Sequence, residues 1–167
     1  MHRTTYTELT QEDRELLDAA TTAMEGAYNP YSHFFVGAAL RTLSGEIITG
    51  CNVENAAFAS SICAERSAIV RAVAMGTKGV SAIAVHARGA DFDTKDVTSP
   101  CGPCRQFIFE AAQIAGVDAR VIMATTKKDL VIIAPISELL PLGFGPRELG
   151  VDVSGYRKSG TLHKKDD

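Results

Sequence analysis

Apolar positions recur at helical spacing from Leu16 through Leu17, Ala20 and Met24, which predicts a helix running to about Gly26. Thr10 caps its start, and Glu12 and Asp13 suit the positive end of the helix dipole. Asn29-Pro30 ends it. From Tyr31 the pattern changes to a strand that carries on to about Thr42. Leu43-Ser44-Gly45-Glu46 reads as a hairpin turn, and Ile47 to Cys51 as the return strand.

Small and apolar residues then crowd a helix from about Cys63 to Met75, with Gly76 as its C-cap. Val80 to Ala87 reads as a strand and Arg88 to Ser99 as a polar loop. A helix follows from about Gly102 to Ala115, with Phe107, Ile108, Ala111, Ala112 and Ile114 on its apolar face. Two more strands, Ala119–Met123 and Leu130–Ala134, flank Lys127-Lys128-Asp129, and Ile136 to Leu140 reads as a short helical turn. The order α-β-β-α-β-α-β-β predicts a three-layer α/β/α sandwich around a five-stranded mixed sheet. Residues 1–150 read as one domain, and 151–167 as a polar tail expected to be mobile.

Length and charge narrow the picture. The chain of 167 residues suits one domain with a full core. A net charge of −3 argues against a basic nucleic-acid surface. Met1 to Asp13 is polar, with no apolar stretch of signal-peptide type, and no apolar run approaches the ~20 residues needed to span a bilayer. No membrane partner and a reducing cytoplasm are the expectation. Four cysteines in a chain of this kind do not read as a disulfide framework.

Three of those cysteines fall in two short segments, Cys63-Ala64-Glu65-Arg66 and Pro100-Cys101-Gly102-Pro103-Cys104-Arg105. Both open predicted helices, where the dipole favours thiolate. Cys63 and Cys101 lie 38 positions apart, the length of one β-loop-α excursion, so two helix N-termini can face one ion. Zn²⁺ takes four tetrahedral ligands and favours thiolate sulfur, and three protein ligands leave a fourth position for water. Zinc lowers the pKa of such a water from 15.7 to about 7. Glu65 lies within reach as the acid/base group that such a hydrolysis requires. Three thiolates against Zn²⁺ sum to −1, and Arg66 reads either as the cation that offsets this charge or as a surface ion pair.

Other readings compete. Cys101-Gly102-Pro103-Cys104 also matches a thioredoxin-type redox pair. That leaves Cys63-Ala64-Glu65 without a role, and the chain has no tryptophan to precede the pair. A closed structural zinc site would have only Cys51 left to complete it. Asn52-Val53-Glu54-Asn55 reads as an ordinary turn, or as an amide and a carboxylate on one side of an extended backbone that clamp ribose hydroxyls. Phe35 reads as core or as a ring stacked on a planar ligand. His33 reads as a turn or wall residue rather than a ligand.

Together with Tyr31 to Ala39, Cys51 to Ala56, Cys104-Arg105-Gln106, Leu139-Leu140-Pro141 and Phe144-Gly145-Pro146, these segments resemble the small, three-cysteine zinc type of cytidine deaminase over about Leu16 to Leu149. The Pro-Cys-x-x-Cys pair and the cysteine-x-glutamate are the zinc-deaminase signature. The resemblance implies hydrolytic deamination of cytidine and deoxycytidine in pyrimidine salvage, in a homotetramer with shared active sites. Cys63, Cys101 and Cys104 would hold one Zn²⁺ per chain. Glu65 would protonate N3 of cytosine, take a proton from the attacking water and deliver it to the leaving ammonia. Asn52 and Glu54 would bind ribose, Phe35 would lie against the base, and the Ala64 backbone would fix the cytosine edge. Phe144 would reach a neighbouring subunit's pocket. The chain departs from the family at Phe58, where tyrosine is common, and in its longer tail. Within deaminases the rivals are an enzyme for another small amine, such as blasticidin, and a nucleic-acid editor.

Overall fold

The computed structural model describes residues 1–157. Its sheet has six strands, in the order β1 (His2–Thr4), β6 (Val131–Pro135), β5 (Arg120–Ala124), β4 (Val80–Gly89), β2 (Phe34–Thr42) and β3 (Ile47–Cys51). Only β4 and β5 pair in parallel. Their connection contains α3 (Gly102–Ala115), the kind of crossover that parallel neighbours require.

The five-strand expectation is thus corrected by one. His2-Arg3-Thr4 carries no apolar alternation, so nothing local marks it as a strand. It forms because β6 offers an antiparallel partner, with Arg3 opposite Ile132.

Helices cover both faces. On one, α1 (Gln11–Ala23) packs Leu16, Leu17 and Ala20 onto Ala39, Ala82, Ala84 and Ile122. On the other, α2 (Ala64–Ala74), α3 and the short α4 (Ile136–Leu139) pack onto Ala38, Leu40, Ile83, Val121 and Met123. The helix layers come close to the sheet because two strand positions lack a side chain. A Cβ on Gly37 would lie 2.0 Å from the Ala20 carbonyl oxygen, and one on Gly50 would lie 2.4 Å from the Ala68 nitrogen.

Thr10 caps α1 as its sequence predicts, accepting a hydrogen bond from the Asp13 N–H at 3.2 Å. The buried Asp13 carboxylate then takes two hydrogen bonds from Arg120, at 2.6 and 3.1 Å, which ties α1 to β5. The first part of the tail is docked: Ser154–Arg157 forms a 3-10 turn, and Arg157 Nε donates to the Ile114 carbonyl at 2.9 Å. The rest of the tail, expected to be mobile, lies outside the described residues.

Candidate metal centre and active site

Cys63 is the N-cap of α2 and Cys101 the N-cap of α3, with Cys104 in the first turn of α3. Pro103 suits that first turn, where its missing N–H costs no helical hydrogen bond. The three Sγ atoms lie within 4.8 Å of one another. Cys63 and Cys101 are 3.9 Å apart, and Cys101 and Cys104 are 3.4 Å apart. Tetrahedral zinc with Zn–S near 2.3 Å sets its sulfurs about 3.8 Å apart. The donor set therefore fits that ion in both chemistry and spacing, and the three ligands are one short of a closed site. The redox reading, which used only Cys101 and Cys104, leaves the approach of Cys63 unexplained.

The charges around the sulfurs are uneven. The contact with Cys104 and the Arg66 guanidinium bring the Cys63 thiol down to about 5. The same contact and burial push Cys104 up. Arg66 Nη2 lies 3.9 Å from Cys63 Sγ and donates to the Ser61 carbonyl at 3.0 Å. It is therefore placed on the sulfur and not in a surface ion pair.

Glu65, in the first turn of α2, is only 4 % exposed. Burial raises its pKa, and the negative charge of Cys63 raises it further. A carboxyl group tuned this way can hold a proton and release it, as a proton shuttle must.

Cys63, Ala64, Glu65 and Cys101 form one wall of a cavity of about 300 Å³. Phe34, Val36, Asn52, Glu54, Thr98 and Ser99 contribute the other walls. Asn52 is engaged with the main chain of β2: its Oδ1 accepts from the Val36 N–H at 2.9 Å, and its Nδ2 donates to the Phe34 carbonyl at 2.9 Å. One lone pair and one N–H of that amide face no such demand. Glu54 accepts from the Tyr31 N–H at 2.9 Å and the Ser32 N–H at 3.2 Å. Hydrogen bonding, first from the Ser32 side chain, keeps its carboxylate below the usual range.

Known proteins resemble this chain in sequence and in fold. Residues 10–122 match the family model described as the cytidine and deoxycytidylate deaminase zinc-binding region. The chain belongs to this deaminase family. It is 42% identical over 138 residues to a cytidine deaminase of Halalkalibacterium halodurans, covering 82% of this chain and 98% of that one. A cytidine deaminase of Sporosarcina psychrophila is 39% identical over 135 residues, covering 81% and 93%. Among solved structures, the cytidine deaminase of Burkholderia pseudomallei superposes with a TM-score of 0.71 at 38% identity, covering 81% of this chain and all of that one. That of Mycobacterium tuberculosis gives 0.64 at 31%, covering 82% and 99%.

Within this deaminase, the cavity brings together Cys63, Ala64, Glu65, Cys101, Asn52 and Glu54. It does not include Phe35. Side chains alternate along β2, and Phe35 points away from the cavity wall that Phe34 and Val36 form. Its ring instead lies under the Arg88 guanidinium, 4.2 Å from the ring centroid, opposite it in the β2–β4 register. The aromatic residue of the cavity is Phe34, which sequence reasoning passed over. The usable signal was parity: Phe34, Val36, Ala38 and Leu40 share one face, and Gly50, opposite Ala38, is where α2 presses closest.

Phe144 is exposed and lies outside this chain's own cavity. Phe58 is 72 % exposed and sets its ring edge-on to Tyr31 at 5.6 Å. Thr98 and Ser99 had no distinguishing sequence signal, because their loop reaches the cavity only through the fold.

Proposed function

We propose that this enzyme deaminates cytidine and deoxycytidine hydrolytically, giving the uridines and ammonia. The observation that carries the reading is the cluster of three cysteine sulfurs, two of them lining the cavity beside a buried Glu65. Cys63, Cys101 and Cys104 would hold one zinc per chain, which would supply an activated water for the hydrolysis. Arg66 balances part of the thiolate charge.

Glu65 moves the protons. It protonates N3 of the pyrimidine, accepts a proton from the attacking water and passes it to the exocyclic nitrogen. The C4–N bond breaks as the C4 hydroxyl returns its remaining proton to Glu65 and becomes the carbonyl, and nitrogen departs as ammonia. Phe34 packs against the base, replacing Phe35 in that role, and the Ala64 main chain meets the cytosine edge. Asn52 and Glu54 bind the ribose hydroxyls with the hydrogen-bonding capacity left over from their main-chain contacts.

The exposed Phe144 belongs to a homotetramer in which subunits complete one another's cavities. Membership of a zinc deaminase family and the chain's acidity favour a free nucleoside over a nucleic acid and fit pyrimidine salvage in the cytoplasm. Among the described residues no helix is long and apolar enough to cross a membrane.

Zinc per purified chain, measured together with the absorbance loss of cytidine, tests the proposal. One zinc and steady turnover are expected. Full zinc occupancy with no conversion of cytidine or deoxycytidine would overturn it. Faster turnover of blasticidin S than of cytidine would reassign the substrate.

A further inference from the structure

Phe34 opens β2, and its cross-strand partner is Gly89, the last residue of β4. Directly opposite residues share a face, so a side chain at 89 would project beside the Phe34 ring. Glycine leaves that space open, and Phe92 fills it. The Phe92 ring stacks on Phe34, with centroids 6.2 Å apart and planes 15° from parallel. A Cβ built on Gly89 would sit 2.3 Å from Phe92 ring atoms. A strand-end glycine covered by an aromatic ring is a recognised way to fix local sheet geometry.

Phe92 is 61 % exposed, yet its position is set by main-chain ties. The Gly89 N–H donates to the Phe92 carbonyl at 2.9 Å, and the Ala90 N–H donates to the His33 carbonyl at 3.0 Å. Beyond it, the Thr94 N–H donates to Thr126 Oγ1 at 2.8 Å, and Asp93 pairs with Lys127 at 3.4 Å. The loop is therefore pinned on both sides of the ring. Phe34 borders the cavity and Phe92 does not, so any effect of Phe92 on the cavity runs through Phe34.

We infer that Phe92 is a positioning residue for pyrimidine binding: stacked over Gly89, its ring holds the Phe34 ring in the orientation that forms the cavity wall. The inference rests on the reading above that the base lies against Phe34. Asn52 and Ser32 fix the main chain of Phe34 through its carbonyl and its N–H. Those bonds act on the main chain and not on the side-chain torsions, whereas the Phe92 ring stacks directly on the Phe34 ring.

The test uses the full-length zinc-loaded protein. Phe92→Ala is expected to raise KM for cytidine about three- to tenfold, the loss corresponding to one aromatic pair. The dissociation constant of uridine, measured by calorimetry, should rise in parallel, with kcat within about twofold and zinc per chain unchanged. Phe92→Tyr keeps the stacking ring and should restore both constants. Gly89→Ala retains Phe92 but displaces its ring, so it should reproduce the KM rise, and it should add nothing in the Phe92→Ala background. Wild-type KM and uridine affinity in both single variants would overturn the inference. So would a fall in kcat and melting temperature with KM unmoved. A wild-type protein that holds zinc but leaves cytidine intact would instead overturn the substrate reading on which the inference stands.

Discussion

Asn52 acts as an extra rung of the β2 ladder: its Oδ1 accepts from the Val36 N–H at 2.9 Å, where a neighbouring strand's carbonyl would otherwise sit. The same amide holds the Phe34 carbonyl. Removing it breaks two hydrogen bonds beside the cavity, at a cost of about 1–3 kcal/mol. Asn52→Ala should therefore lower the melting temperature as well as raise KM for cytidine. Asn52→Asp keeps the acceptor for Val36 but turns an oxygen toward the Phe34 carbonyl, so it should also destabilise. Thermal melts beside kinetics check this. An alanine variant with wild-type stability and lost activity would show that the amide serves substrate alone.

Glu65 offers a separation of metal binding from proton transfer. Its carboxyl group is buried at the helix start that carries Cys63 but is not among the three clustered sulfurs. Glu65→Gln preserves shape and removes proton traffic. Zinc content should stay near one per chain while kcat falls by about two to four orders of magnitude. Chelation of the wild-type protein should abolish turnover, and added zinc should return it. A glutamine variant that keeps most of its kcat would assign the proton to another group.

Much of this site was legible because metal chemistry demands particular residue types at fixed spacing. Cys101 and Cys104 in the first turn of a helix, with Cys63 heading another, admit few alternatives. Helix limits were legible too, since Thr10 and Gly116 act locally as caps. What escaped depended on partners distant in sequence. His2–Thr4 is a strand only because β6 has an edge to offer. The choice between Phe34 and Phe35 turns on which face of β2 meets α2, and parity along the strand becomes informative only once Gly50 is known to lie opposite Ala38 under α2. The role of Asn52 is of the same kind, since a polar residue after a strand does not announce that its side chain will extend the ladder.

Gly50 sets how deeply α2 sits against β3. Besides its 2.4 Å approach to the Ala68 nitrogen, an added Cβ would lie 2.8 Å from the Ala64 carbonyl oxygen. Both are backbone atoms of the helix, so relief requires moving α2 itself. Gly50→Ala should destabilise by about 3 kcal/mol, at the upper end for overpacking. Because Cys63 and Glu65 ride on the start of α2, zinc occupancy should fall in the same variant. Gly45→Ala is the comparison. Its Cβ meets nothing within 4 Å, although its positive φ of 87° adds strain of its own, and it should leave zinc occupancy intact. Equal zinc loss in both variants would detach the effect from α2.

His86 links three elements on the α1 side of the sheet and supplies a pH dependence of stability. It is buried on β4, with Nε2 3.2 Å from the carbonyls of both Thr125 and Thr126, so Nε2 carries the hydrogen. Nδ1 faces Thr21 Oγ1 at 3.1 Å, and that hydroxyl also lies 2.8 Å from the Leu17 carbonyl. Of the charged groups nearby, Lys128 opposes a proton on His86 and Asp18 favours one. Burial acts first and Lys128 second to hold the imidazole pKa below its ordinary value. The unfolded chain binds this proton near pH 6.5, whereas the folded chain resists it. The stabilising contribution is therefore complete above about pH 6.5 and is lost as pH falls toward the folded-state pKa. The melting temperature should decline between pH 7 and pH 5.5. His86→Gln keeps an N–H for the two carbonyls but cannot titrate, so it should flatten that decline even if it lowers stability at pH 8. Parallel slopes for the two proteins would place the titration on other groups.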